Sequence, residues 1–244
     1  MNPRLTIATA ARVLTQLRGD RRTIVLVLVV PCVLLWLFKE VFADQPAVFQ
    51  RLAPALLATF PLLIMFLVTS VAMVRERTGG MLERLLTTPL GKADLVLGYA
   101  LAFGVLALVQ GLIASGVALA LGLDQVASVP VLLLFAVGDA VLGAALGLGV
   151  SALAATEFQA VQFMPAVILP QFLLSGLLTP TSSMAGWLDG LSRVMPLRYG
   201  IDGATRLVHT DTVSPTVWWD LVVIVGCALL ALVVGATTLR RTTA

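Results

Sequence analysis

The sequence predicts an all-α, polytopic membrane protein with six transmembrane helices, and three observations predict it. Of the 244 residues, 59% are hydrophobic and only 12% charged, with a mean hydropathy of +1.01; soluble domains carry about 25% charged residues. A helix that crosses a bilayer needs about 20 largely apolar residues. Six segments meet or approach that length, roughly 23 to 42, 53 to 74, 95 to 121, 129 to 153, 161 to 180 and 217 to 239. The basic residues are also asymmetric. Five precede the first apolar run, four lie at 75 to 94 and two at the C-terminal end, eleven in all, against five on the opposite connections. The positive-inside rule then places both termini in the cytoplasm.

The N-terminal segment, about 4 to 20, reads as a helix lying in the inner interface rather than a cleavable leader. Five arginines precede the apolar run and no small-residue cleavage site follows it. Ile7, Ala10, Leu14 and Leu17 repeat at spacings of three and four, with Thr9, Arg12 and Gln16 on the other face. In the first span Lys39 and Glu40 follow Phe38 closely enough to snorkel at the far interface. Cys32 and Cys227 both lie in apolar runs and read as small buried hydrophobes.

Between the second and third spans lies a charge-dense island, Arg75-Glu76-Arg77-Thr78-Gly79-Gly80-Met81-Leu82-Glu83-Arg84-Leu85-Leu86. Met81, Leu82, Leu85 and Leu86 share one helical face, and Pro89 stops the helix. About 79 to 88 is thus a short helix with an apolar ridge, offered either to a cytoplasmic partner or to lipid headgroups.

The fourth span carries Asp139 near its middle. An ionisable group there faces a bundle interior or a water-filled path, as a functional group or as a packing device. Around it a small-residue stripe includes Gly143 and Gly147, a pair suited to close helix approach within the chain or between copies. Glu157 and Gln159 form a polar turn before the fifth span. Residues 170 to 216 are too apolar for a free loop; their prolines and glycines suggest short helices dipping back toward the membrane and buried in protein. There Arg198, Tyr199 and Asp202 are exit-lining candidates or an internally paired polar face.

No Gly-x-x-x-x-Gly-Lys-Ser/Thr loop is present to cradle nucleotide phosphates, and the lone His209 offers no metal-ligand cluster. The residues show no catalytic, cofactor or metal site, and no ATP hydrolysis by this chain alone is expected.

In their order, the N-terminal amphipathic segment, Glu76-Arg77 with the glycine pair and Leu82-Glu83-x-Leu85-Leu86, the Glu157-Phe158-Gln159-Ala160 turn and the Met195-Pro196-Leu197-Arg198-Tyr199 stretch resemble the ABC-2 family of ATP-driven export permeases. The resemblance implies a single permease domain over 1 to 244, with an elbow helix, a coupling helix and outer re-entrant helices. It implies a bacterial cell-membrane location and two copies of a separate ATP-binding subunit that carry ATP and Mg. It also implies a second permease copy, identical or related, and no nucleic acid. Glu76, Arg77, Met81, Leu82, Glu83, Leu85 and Leu86 would then contact the ATP-binding subunit. Phe60, Met65, Asp139, Phe163 and Met164 would be possible pathway residues for a hydrophobic or amphipathic cargo such as a drug, antibiotic or lipid-like molecule. Two other classes fit the residues: a proton-coupled transporter using Asp139, and a membrane scaffold whose ridge recruits a soluble protein.

Overall fold

The computed structural model describes residues 3–80, 91–124, 126–210 and 212–238. Every regular element among them is helical. In chain order these are α1 (Pro3–Gly19), α2 (Arg21–Val41), α3 (Pro46–Thr78), α4 (Lys92–Ala120), α5 (Val129–Ser151), α6 (Glu157–Leu173), a 3₁₀ turn (Thr181–Ser183), α7 (Gly186–Ser192), α8 (Pro196–His209) and α9 (Pro215–Thr238).

Local chemistry sets the boundaries. Asp20 caps α2, accepting from the Thr23 N–H at 3.2 Å and the Thr23 hydroxyl at 2.8 Å. The helix α4 ends in a Schellman turn, with Gly122 at φ 102°, the Gly122 N–H on the Leu119 carbonyl and the Leu123 N–H on the Ala118 carbonyl. Thr156 caps α6 by accepting from the Gln159 N–H at 3.2 Å, while the Gln159 side-chain oxygen accepts from the Ala155 N–H at 2.8 Å, a reciprocal arrangement close to a capping box.

Five helices, α2, α3, α4, α5 and α9, are long and apolar enough to cross a membrane among the described residues. Their outer faces remain apolar and exposed, as with Leu101, Val105, Leu108 and Leu112 on α4 at helical spacing. The protein is a multi-pass membrane protein. The segment expected to be helical from 161 to 180 is different: α6 begins at Glu157 and ends at Leu173, after 17 residues. The chain turns there because the Ser175 hydroxyl bonds the Phe172 carbonyl at 2.7 Å and Gly176 takes φ 90°. Even so, α6 reaches between the two ends of the bundle, from Glu157 beside Arg75 of α3 to Gln171, whose side-chain oxygen accepts from the Leu197 N–H of α8 at 3.4 Å.

The centre of the bundle is the pair α3 and α5. Gly143 and Gly147 let the two backbones meet: a Cβ at Gly143 would overlap the Leu62 carbonyl, and one at Gly147 would lie 2.5 Å from the Phe66 carbonyl. The small-residue stripe is therefore used within the chain. On one side α8 and α9 close a core containing Leu62, Phe66, Phe135, Leu197, Ile201 and Ile224. On the other, α1 and α4 close a second core around Met65, Tyr99, Phe103 and Val13.

The face of α1 differs from the sequence expectation only in part. Ala10, Leu14 and Leu17 do share a face, packed on the second core, but Ile7 is 62% exposed, whereas Thr9 is 4% exposed and packs on α4. Gly98 permits this, since a Cβ there would lie 2.6 Å from the Thr9 Cβ. The threonine satisfies itself locally, donating to the Leu5 carbonyl at 2.9 Å.

Candidate functional site

Three consecutive residues at the end of α3 each hold a different part of the bundle. A helix places consecutive side chains about 100° apart, so Arg75, Glu76 and Arg77 point in separate directions. Glu76 accepts from Arg12 of α1 at 3.2 Å and from the Tyr99 hydroxyl of α4 at 2.7 Å. Arg12 in turn donates to that hydroxyl at 2.6 Å, and its guanidinium carbon stands 5.7 Å from the Tyr99 ring centre. The side chains of Arg12 and Glu76 are 26% and 14% exposed, so little water screens the pair.

Arg75 points to α6 and grips Glu157 through two parallel bonds, Nε to Oε1 and Nη2 to Oε2, both 3.0 Å. Such a fork fixes orientation as well as distance. The hydrogen bond from Arg75 holds the Glu157 carboxyl below the ordinary glutamate range. Arg77 points to the turn after α5, where Nη1 donates to the Ser151 carbonyl at 2.5 Å and more weakly to Ala154 at 3.5 Å. A cation at these carbonyls complements the negative end of α5. Nearby, the Thr6 hydroxyl donates to the buried Asp94 at 3.3 Å, adding a second tie between α1 and α4.

Beside this cluster a cavity of about 510 Å³ opens between α1, α2, α3 and α4, with Val161 of α6 at its edge. Its wall is apolar, including Leu26, Leu67, Val68 and Phe103, and its rim carries Gln16, Asp20, Arg75 and Glu76.

The sequence pattern of the family described as "ABC-2 type transporter" matches residues 4–208, from α1 through α8. The chain belongs to the ABC-2 type transporter family. Among curated proteins it is 31% identical over 179 residues to "Probable multidrug ABC transporter permease YbhR" of Escherichia coli (strain K12), covering 70% of this chain and 48% of that protein. It is 28% identical over 146 residues to "ABC transporter G family member 20" of Dictyostelium discoideum, covering 59% of this chain and 20% of that protein. A third relative, "ABC transporter G family member 23" of the same organism, is 28% identical over 158 residues, 63% and 22% of the two chains. The chain thus spans about half the length of the first of these relatives, and less of the others.

In this ABC-2 chain the sequence-derived site residues fall into distinct places. Glu76 and Arg77 lie in the cluster just described; Met81, Leu82, Glu83, Leu85 and Leu86 lie outside the described residues. Glu157 is joined to Arg75, and Gln159 serves the cap of α6. Phe60 and Met164 are half-buried against the α3–α5–α8 core, Phe163 packs near Val74, and Met65 is fully buried on the α1–α4 side. None of these four lines the cavity.

Asp139 is fully buried, and among the described residues neither of its carboxylate oxygens has a hydrogen-bond partner. It faces Gly200 of α8, where a Cβ would overlap the carboxylate. At that end of the bundle, Arg198 pairs with Asp189 at 3.1 Å and Asp202 at 3.8 Å and donates to Ser192 and Thr181, while the Tyr199 hydroxyl donates to the Arg193 carbonyl at 2.8 Å. These contacts lock α7, α8 and the 3₁₀ turn to one another.

Arg12 and Tyr99 are members of the cluster that sequence patterns did not mark as site residues. The partners are 64 and 87 positions apart in sequence, so no local motif joins them. A tyrosine near the start of an apolar span and an arginine within an amphipathic helix were the available signals.

Proposed function

We propose that this chain is the membrane-spanning permease subunit of an ATP-binding cassette exporter, moving a hydrophobic or amphipathic cargo out of the cytoplasm while a separate subunit hydrolyses ATP. The observation that carries the reading is the anchoring of the end of α3. The segment 81 to 90 follows directly, and Arg75, Glu76 and Arg77 tie its root to α1, α4, α6 and the α5–α6 turn. A force applied to that segment would reach several helices at once.

On this reading 79 to 88 is the coupling helix, and Met81, Leu82, Glu83, Leu85 and Leu86 meet the ATP-binding subunit, which carries the ATP and Mg. Two such subunits serve two permease copies, identical or related. Phe60, Phe163 and Met164, only half-buried in the single chain, are the better placed of the pathway candidates. Met65 and Asp139 are enclosed by the chain's own packing.

The reading also takes α6 as a sixth crossing. Its 17 residues cover about 26 Å at 1.5 Å per residue, against about 30 Å of hydrocarbon, and its ends touch opposite ends of the bundle. With six crossings and the excess of basic residues at one end, both termini lie in the cytoplasm of a bacterial cell.

The test is purification from the native membrane with identification of stoichiometric partners, followed by reconstitution. We expect a soluble subunit with a phosphate-binding loop. Leu82→Asp and Leu85→Asp should insert normally yet weaken its association and uncouple ATP hydrolysis from transport. Full coupling in both variants would defeat the reading.

A further inference from the structure

The cavity between α1, α2, α3 and α4 has a place for a ligand that the exporter reading does not assign. Its apolar wall runs inward from a polar rim. Leu26 lies six residues along α2 from Asp20, and Leu67 eight residues along α3 from Arg75, so the wall extends about 9 to 12 Å below the rim at 1.5 Å per residue. Its volume of about 510 Å³ falls within the roughly 300–1,000 Å³ range of small-molecule sites. Side-chain packing from α1, α2, α3 and α4 leaves this space unfilled, and the wall chemistry fits an aliphatic body.

The rim selects the head. Three charged side chains line it: Asp20, Arg75 and Glu76. Arg75 is neutralised by Glu157, and Glu76 by Arg12. Asp20 is different. It accepts from Thr23, and among the described residues no cation comes within ion-pair distance of its carboxylate. Those Thr23 bonds also hold its carboxyl below the usual aspartate range, so it stays ionised near neutrality. Arg21 and Arg22 are adjacent in sequence and line a shallow cleft with Val25, Leu26 and Val30; the cleft shares Leu26 with the cavity, but neither arginine lines the cavity itself. Of the three charged side chains that line the cavity, Asp20 is therefore the one without an ion-pair contact among the described residues; Arg75, already paired with Glu157, acts on it only through space.

We propose that this cavity binds an amphiphile with an ammonium head group, its head against Asp20 and Gln16 and its aliphatic body along Leu26, Leu67, Val68 and Phe103. Binding needs neither nucleotide nor a partner subunit, so it stands or falls separately from the exporter reading.

The test is photolabelling of the whole chain in nanodiscs with dodecylamine carrying a mid-chain diazirine, and with the same tail bearing a hydroxyl or a sulfate head. Labelled peptides are mapped by mass spectrometry. The amine probe should label α2 near Leu26 and α3 near Leu67–Val68, saturably, with unlabelled dodecylamine displacing it. Asp20→Asn keeps a good helix cap while removing the charge. It should reduce amine labelling about fivefold, the equivalent of about 1 kcal/mol for an exposed ion pair, and bring it to the level of the hydroxyl probe. Val71→Trp, which fills the cavity, should remove labelling by all three heads.

Equal labelling by the amine and hydroxyl probes in the wild-type chain would overturn the proposal, as would preference for the sulfate. So would label confined to the exposed faces, such as Leu229 and Leu230 of α9. The wild-type competition requires no variant to fold.

Discussion

Arg12 of α1 and Glu76 of α3, 64 positions apart, form an ion pair at 3.2 Å whose geometry is closed by a third group, the Tyr99 hydroxyl, which accepts from one and donates to the other. In this half-dry site the Glu76 carboxylate accepts from Arg12 and Tyr99, and the Arg12 guanidinium donates to Glu76, Tyr99 and, at 2.9 Å, Gln16. Removing either charge leaves the other without its counter-ion.

Glu76→Gln and Arg12→Ala should each destabilise the protein by about 1.5–3 kcal/mol, the usual range for hydrogen bonds to charged groups. Tyr99→Phe should cost less, about 1 kcal/mol, because the ion pair survives it. A double-mutant cycle on Arg12 and Glu76, read by denaturant or thermal unfolding in detergent, should give a coupling energy above about 0.5 kcal/mol. Additive effects would mean that the pair is a geometric coincidence.

The fork between Arg75 and Glu157 gives a pH prediction. The Glu157 carboxyl is depressed in the folded protein, chiefly by its hydrogen bond from Arg75. Its contribution is therefore fully present above the ordinary glutamate value of about 4.3, and is lost as pH falls through the lower folded value. Both side chains are well exposed, 61% and 44%, so the effect should stay within about 1 kcal/mol and shrink in high salt. Stability of the wild type and Glu157→Gln, compared across pH 2 to 7, should converge at the acid end.

At the centre of the bundle, Gly143→Ala should be far more damaging than Gly138→Ala. A Cβ at Gly143 meets the Leu62 backbone, which cannot turn aside, while at Gly138 the closest atom is an Ile224 methyl at 3.5 Å. We expect a loss of about 1–3 kcal/mol or more for the first and near neutrality for the second. Unfolding midpoints of the two variants decide it.

Asp139→Asn and Asp139→Leu separate two roles for the buried acid. With both oxygens unpartnered among the described residues, an isosteric or apolar side chain should be neutral or stabilising. Transport should persist in Asp139→Asn. Loss of transport with unchanged folding would turn attention to proton coupling. Gly200→Ala, by contrast, should destabilise the packing of α8 on α5, since its Cβ would overlap the carboxylate.

Hydropathy alone located α2, α5 and α9 closely, because each is a single apolar run whose ends coincide with charge or turn chemistry. The fourth span, expected over 129 to 153, is helical over Val129–Ser151. It failed where helices are not uniformly apolar. The second span, expected from 53, begins at Pro46, since Gln50 and Arg51 lower the local hydropathy but occupy a helical turn that bonds across to Asp124. It also extended α6 through Ser175-Gly176, where a positive φ ends the helix.

At the candidate site, the run Arg75-Glu76-Arg77 stood out because charge is rare in this chain. What each of the three holds was not legible, because the partners come from α1, α4, the α5–α6 turn and α6. Likewise Asp139 was conspicuous as a lone acid, but its enclosure by Gly200 depends on how α8 folds back.

The length of α3 has a mechanical consequence. Its 33 residues, Pro46 to Thr78, make a rod about 50 Å long, and the contact with Gly143 and Gly147 falls at Leu62 and Phe66, close to its midpoint. A lever with a central fulcrum moves its two ends in opposite directions by similar amounts. Both interior prolines, Pro54 and Pro61, lie on one arm, leaving the arm that ends in Arg75, Glu76 and Arg77 unbroken. Tilting α3 about its glycine bearing would swing Arg75 one way and Phe49 the other, so a stroke at one membrane face would arrive at the opposite face reversed in direction.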